Sequence, residues 1–204
     1  ENEGFFYITF FFDSKRPKIK NTEPKKGFAS GSFNVEFDEL NPSNLFLNYG
    51  NDETGLRFSE VNISNNCELG RRSYICNVNV SLIDYDGQKI DYWFNLTDIA
   101  NSNAESRIIE LEVDIGFPII NSINYSVNRN MVSFVVNVTE ANLDVVEYID
   151  NSDSRPRWKT MCSRLRNDLC ERRISLRGSG EHNIGIQVID EAGNIASENV
   201  VVNI

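Results

Sequence analysis

The chain is 204 residues long and carries a formal charge of −10. That acidic balance excludes a dedicated nucleic-acid binder, which needs a net basic footprint. Thirteen Phe and seven Tyr supply enough apolar area for folded cores, and the length predicts two domains of roughly 100 residues each.

The chain opens on an apolar segment, Phe5-Phe6-Tyr7-Ile8-Thr9-Phe10-Phe11-Phe12, in which both faces of an extended strand would be apolar. It is far shorter than the roughly 20 apolar residues of a membrane helix, and no later stretch reaches that length, so no transmembrane segment is expected. Nothing resembles an intact secretory signal, which suggests a mature ectodomain or a piece of one. An unpaired strand of this kind pairs readily with other chains and must be covered. Three readings stay open for residues 1–12: a first strand packed within its own domain, a strand donated to a neighbouring subunit, or the remnant of a longer array of repeats.

Asp13-Ser-Lys-Arg-Pro17 then begins a pattern that returns at Asp114-Ile-Gly-Phe-Pro118, an offset of 101. At the same offset Phe33, Val35 and Phe37 fall on Phe134, Val136 and Val138, and Glu39-x-Asn41 falls on Glu140-x-Asn142. Leu45 and Leu47 fall on Val146 and Tyr148. Farther on, Tyr92, Phe94 and Leu96 match Ile184, Ile186 and Val188, while Ile109, Leu111 and Val113 match Val200, Val202 and Ile204. The offset shrinks as loops differ in length, but the period-2 phase is kept throughout, which marks a repeat.

The strands of the first copy are predicted near 17–22, 28–38, 44–49, 56–62, 73–83, 89–97 and 107–113. Asp84-Tyr-Asp-Gly87 reads as a hairpin turn and Ala192-Gly-Asn194 as a turn that uses glycine at positive φ. Short alternating strands without a helical period predict an all-β fold of two tandem antiparallel sandwiches, 14–114 and 115–204, preceded by the N-terminal strand 1–13.

The four cysteines form two local pairs, Cys67 with Cys76 and Cys162 with Cys170. With His182 the only histidine, this spacing predicts two hairpin-scale disulfides rather than a zinc site, and hence an oxidising compartment. Residues 155–177 concentrate Arg155, Arg157, Lys159, Arg164, Arg166, Arg172, Arg173 and Arg177 against Asp168 and Glu171, whereas 138–153 hold acids only. Either this is a solvated hairpin, or it is a patch that docks on an acidic face or on anionic glycans, with Arg155, Arg157, Trp158 and Lys159 as its centre. Sequons at Asn62, Asn79, Asn95, Asn124 and Asn137 are candidate glycosylation sites, and Asn79, Asn95 and Asn137 fall on the outward phase.

Asp98, Asp114 and Glu140, or Asp190 and Glu191, offer hard oxygens that calcium could use. No EF-hand spacing is present, and Asp in such turns usually caps its own backbone, so no metal or cofactor is expected. His182 takes the inward phase of a strand and is expected to be packed rather than catalytic. With no GxSxG or P-loop and with both cysteine pairs oxidised, the sequence does not predict an enzyme.

The Asp190-Glu-Ala-Gly-Asn194 turn, one further strand and an Asp…Pro junction into the next unit resemble the immunoglobulin-like or fibronectin-III-like repeats of prokaryotic, including archaeal, surface proteins. The equivalent Asp98-Ile-Ala-Asn-Ser102 lacks the glycine. The resemblance implies an extracellular or cell-surface structural subunit that self-associates into a filament, array or surface layer, or joins neighbouring domains of a longer chain. The alternative is a monomeric adhesin or carbohydrate-binding module.

Overall fold

The computed structural model describes residues 13–204. The expected N-terminal strand, with Phe5, Phe6, Tyr7, Ile8, Phe10, Phe11 and Phe12, lies outside the described residues.

The chain is all-β and divides into two compact units, 13–26 with 31–112 and 27–30 with 113–204. The first half contributes β1 (Lys18–Glu23), β2 (Phe28–Ala29), β3 (Ser32–Asp38), β4 (Pro42–Asn51), β5 (Gly55–Glu60), β6 (Cys67–Leu69), β7 (Tyr74–Asn79), β8 (Lys89–Asp98), β9 (Asn103–Glu105) and β10 (Ile109–Val113). One sheet runs β1-β3-β7-β6 and the other β10-β8-β4-β5, with β9 also beside β8. All the strand pairs described in register are antiparallel.

Strand alternation explains the core. Phe33, Val35 and Phe37 on β3 are buried, as are Leu45 and Leu47 on β4 and Tyr92, Phe94 and Leu96 on β8. The Phe33 and Tyr92 rings meet across the two sheets with centroids 4.7 Å apart. Each such side chain contributes about 1.5–3 kcal/mol by leaving water.

The second unit is built from β11 (Ile119–Asn128), β12 (Met131–Thr139), β13 (Leu143–Asp150), β14 (Lys159–Cys162), β15 (Leu169–Ser175), β16 (Glu181–Asp190) and β17 (Ile195–Asn203). Its sheets are β11-β12-β15 and β14-β13-β16-β17. Val132, Phe134, Val136 and Val138 from one sheet share a core with Val146, Ile184, Ile186 and Val188 from the other.

Several expectations need correction. The strand predicted over 28–38 breaks at Gly31, whose φ is +110°, and a Cβ there would collide with the carbonyl oxygen of Val80. Asp84–Gly87 is not a hairpin turn, because β7 and β8 belong to different sheets. The chain crosses between them through a 3₁₀ turn, Ile83–Tyr85, anchored by the buried Tyr85, whose hydroxyl donates to the Gly55 carbonyl at 2.8 Å. Residues 61–62 and 80–83 lie outside the strands assigned to them, and a helical turn, Ile63–Asn66, precedes β6. Gly193, with φ +84°, closes the β16–β17 hairpin.

Both disulfides form, but they do different things. Cys67–Cys76 joins directly opposed residues on the neighbouring strands β6 and β7 of one sheet. Cys162–Cys170 joins β14 to β15, edge strands of opposite sheets, and so is not a hairpin bridge. Edge strand β15 also carries Arg172 between the buried Cys170 and Ile174, on the phase that would otherwise be apolar. An inward-phase charge on an edge discourages pairing with foreign strands.

Candidate functional site

The three motifs that mark the repeat converge in space. In the first unit, carboxylate oxygens of Asp13, Glu39 and Asp98 lie within 4.8 Å of one another, and in the second unit those of Asp114, Glu140 and Asp190 do the same. Asp13 precedes β1, Glu39 follows β3, and Asp98 ends β8; Asp114, Glu140 and Asp190 hold the matching places around β11, β12 and β16.

Local backbone geometry positions each member. Glu39 Oε1 accepts the Asn41 N–H at 2.8 Å, and Glu140 Oε1 accepts the Asn142 N–H at 2.7 Å. The Asn41 amide donates to Asp13 Oδ2 at 3.1 Å, as the Asn142 amide does to Asp114 Oδ2 at 2.9 Å. Asp98 Oδ1 accepts N–H groups from Ala100 and Ser102, both at 2.8 Å, and Asp190 Oδ1 accepts that of Asn194 at 2.8 Å. The Asp98 and Asp190 contacts are Asx-type turns, the Glu39 and Glu140 contacts are their longer-chain analogues, and on each buried acid one carboxylate oxygen is left without a local backbone donor.

The fate of that remaining oxygen separates the units. In the second, the Asn194 amide donates to Asp190 Oδ2 at 2.8 Å and to the Asp114 carbonyl at 3.0 Å. In the first, Asp98 Oδ2 and Glu39 Oε2 are buried and accept no hydrogen bond from any described residue, although Asp98 is 0% and Glu39 only 3% exposed.

Asp98 and Asp114 thus belong to separate clusters, and Glu191 to neither; its side chain is exposed. Asp13 and Glu39 were missed as candidate ligands, although both stand in motifs that repeat at the offset of 101. The repeat itself was the available signal.

The basic segment is less segregated than its sequence suggests. Arg155, Arg157 and Arg177 line one groove with Tyr148, Asp150 and Asp153. The Arg155 backbone N–H holds the Asp153 carboxyl below its usual range, helped by the nearby Lys159 and Arg177 charges and opposed by desolvation. Lys159 sits over the Tyr148 ring, 5.6 Å from its centroid, and Trp158 is half-exposed. His182 is buried, with Nδ1 2.8 Å from the equally buried Asp150. Asn62, Asn79 and Asn124 are exposed, whereas Asn95 and Asn137 are half-buried. The Asn62 side-chain oxygen caps the Ile63–Asn66 turn, and the Asn137 side-chain oxygen accepts from the Asn121 side-chain amide at 3.0 Å.

The sheets and their strand order define two tandem antiparallel β-sandwiches of immunoglobulin-like fold. The chain is similar to the FN1–FN3 domains of chicken CNTN1, with a TM-score of 0.55 at 9% identity over 92% of this chain and 66% of that one. A second similarity is to the fibronectin(III)-like modules of Clostridium thermocellum CbhA, with a TM-score of 0.44 at 10% identity over 92% and 93% of the two chains. No protein-family model and no curated protein matches the sequence. No helix among the described residues is long and apolar enough to cross a membrane.

Proposed function

We propose that the chain is a non-catalytic, extracellular building block that assembles into a filament, array or surface layer. The observation that carries this reading is the recurrence of the whole unit, from its Asp-x-x-x-Pro junction and sandwich to its carboxylate triad and disulfide, in tandem along one chain. Repeats of this kind suit a load-bearing array, and two disulfides fit an oxidising compartment.

Assembly on this reading uses strand addition, with residues 5–12 as donor. Edge strand β5 is the favoured acceptor because it carries Leu56 and Phe58, 61% and 73% exposed, and its outer edge pairs with no other described strand. An exposed edge with apolar side chains is a template for a foreign strand. β15 is a poorer acceptor because of Arg172.

Light scattering after size exclusion of the non-reduced protein tests the idea. Polymer from the intact chain, with monomer from a variant lacking residues 1–12 and from Phe58→Lys, supports it. A monomeric intact chain that unfolds on truncation assigns the strand to its own domain, and a glycan-binding screen then tests the adhesin alternative.

A further inference from the structure

We propose that Asp13, Glu39 and Asp98 form a calcium site in the first unit, and that the Asn194 amide substitutes for the cation in the second. The three carboxylates bring a formal charge of −3 into a region where Asp98 and Glu39 are almost fully buried. None of the ion pairs among the described residues reaches them. Burying such charges is costly unless they are paired or bind a metal.

The geometry suits one ion. Calcium binds oxygens at about 2.4 Å, so two of its ligands cannot stand more than about 4.8 Å apart. The cluster meets that limit. All donors are carboxylate oxygens, without histidine or thiol, a set that selects hard cations over zinc or copper. Asp98 Oδ2 and Glu39 Oε2 are buried and have no donor, while the other oxygen of each group already accepts backbone N–H groups.

The second unit supplies the comparison. Ser102 and Asn194 occupy the same place, four residues after their Asp, and each donates its backbone N–H to that Asp's Oδ1 at 2.8 Å. Asn194 reaches back with its amide to Oδ2, whereas the shorter Ser102 side chain offers Asp98 no such donor. The oxygen that one unit satisfies with an N–H of positive character is the oxygen left for a cation in the other.

The test is calorimetric titration of calcium chloride into the chelator-treated full chain, with thermal unfolding in parallel. One equivalent should bind, and at a hundredfold excess over the dissociation constant the transition of the first unit should rise by roughly 10 °C. Magnesium, which dehydrates reluctantly, should give a smaller shift. The double variant Glu39→Gln/Asp98→Asn should lose both heat and shift while melting no lower than the calcium-free parent, since it removes buried charge. If that variant does not fold, Ser102→Asn replaces it: it gives Asp98 the amide that Asp190 already has, and should abolish the calcium response. Absence of binding, or a response that survives these substitutions, overturns the site. A second equivalent removed by Asp190→Asn overturns the role given to Asn194.

Discussion

The two units share a strand plan, a triad and a disulfide, yet they close themselves differently. The first carries a short fourth strand, β6, stapled flat against its neighbour β7; the second lacks that strand and ties its two sheets together instead. The first leaves two buried carboxylate oxygens without a donor, and the second answers the equivalent Asp with an asparagine amide. Homologous positions therefore do not carry homologous energetics. A repeat preserves the core phase, because burial punishes any departure from it, while loops and edges drift toward local solutions.

The largest expected effect comes from separating the bridges. In the chain-entropy account each closes a loop of about ten residues and contributes about 2.5 kcal/mol. Replacing Cys162 and Cys170 by Ser should cost more than replacing Cys67 and Cys76, because only the former also releases one sheet from the other. Urea unfolding of the two double variants measures the difference, and equal losses would mean that sheet tethering adds nothing beyond loop closure.

Next comes Asn194→Ala. It strips the donor from Asp190 Oδ2, a buried acceptor, and should destabilise the second unit by about 1–3 kcal/mol. Ser102→Ala, which keeps the backbone donor to Asp98, should change the first unit much less. If both variants unfold at the parent's denaturant concentration, the amide is dispensable and the contrast between the triads loses its energetic content.

The smallest effect appears at alkaline pH. Burial pushes the Tyr92 phenol up to about 12, with the Thr22 hydrogen bond opposing; an unfolded tyrosine titrates near 10. The group favours the folded first unit fully below pH 10 and loses that contribution as pH rises from 10 to 12. Tyr148 in the second unit is also raised by burial, but Arg172 pulls it back. Unfolding monitored from pH 9 to 12 should therefore weaken the first unit more, and a parallel decline of both units would refute the ordering.

The core was legible because alternation at period 2 is long-range and redundant: Phe33, Val35 and Phe37 announce a strand whatever surrounds them. The three-residue strands β6 and β9 were not, since three residues hold no period. Asp84–Gly87 has turn chemistry, but turn chemistry does not say whether the flanking strands share a sheet. The triads were half legible. Asp98, Asp114, Glu140 and Asp190 stood out as hard-oxygen donors, whereas their grouping depends on which loops meet at one end of a sandwich, a property of strand order that single motifs do not encode.

One consequence of the bridges concerns a chain under tension. Each disulfide short-circuits the residues between its cysteines, nine positions apart in the first unit and eight in the second. At about 3.5 Å per extended residue, a unit torn open by pulling would stop roughly 25 Å short of its full contour. Slack is thereby limited, and a reduced chain would stretch farther before its tether drew tight.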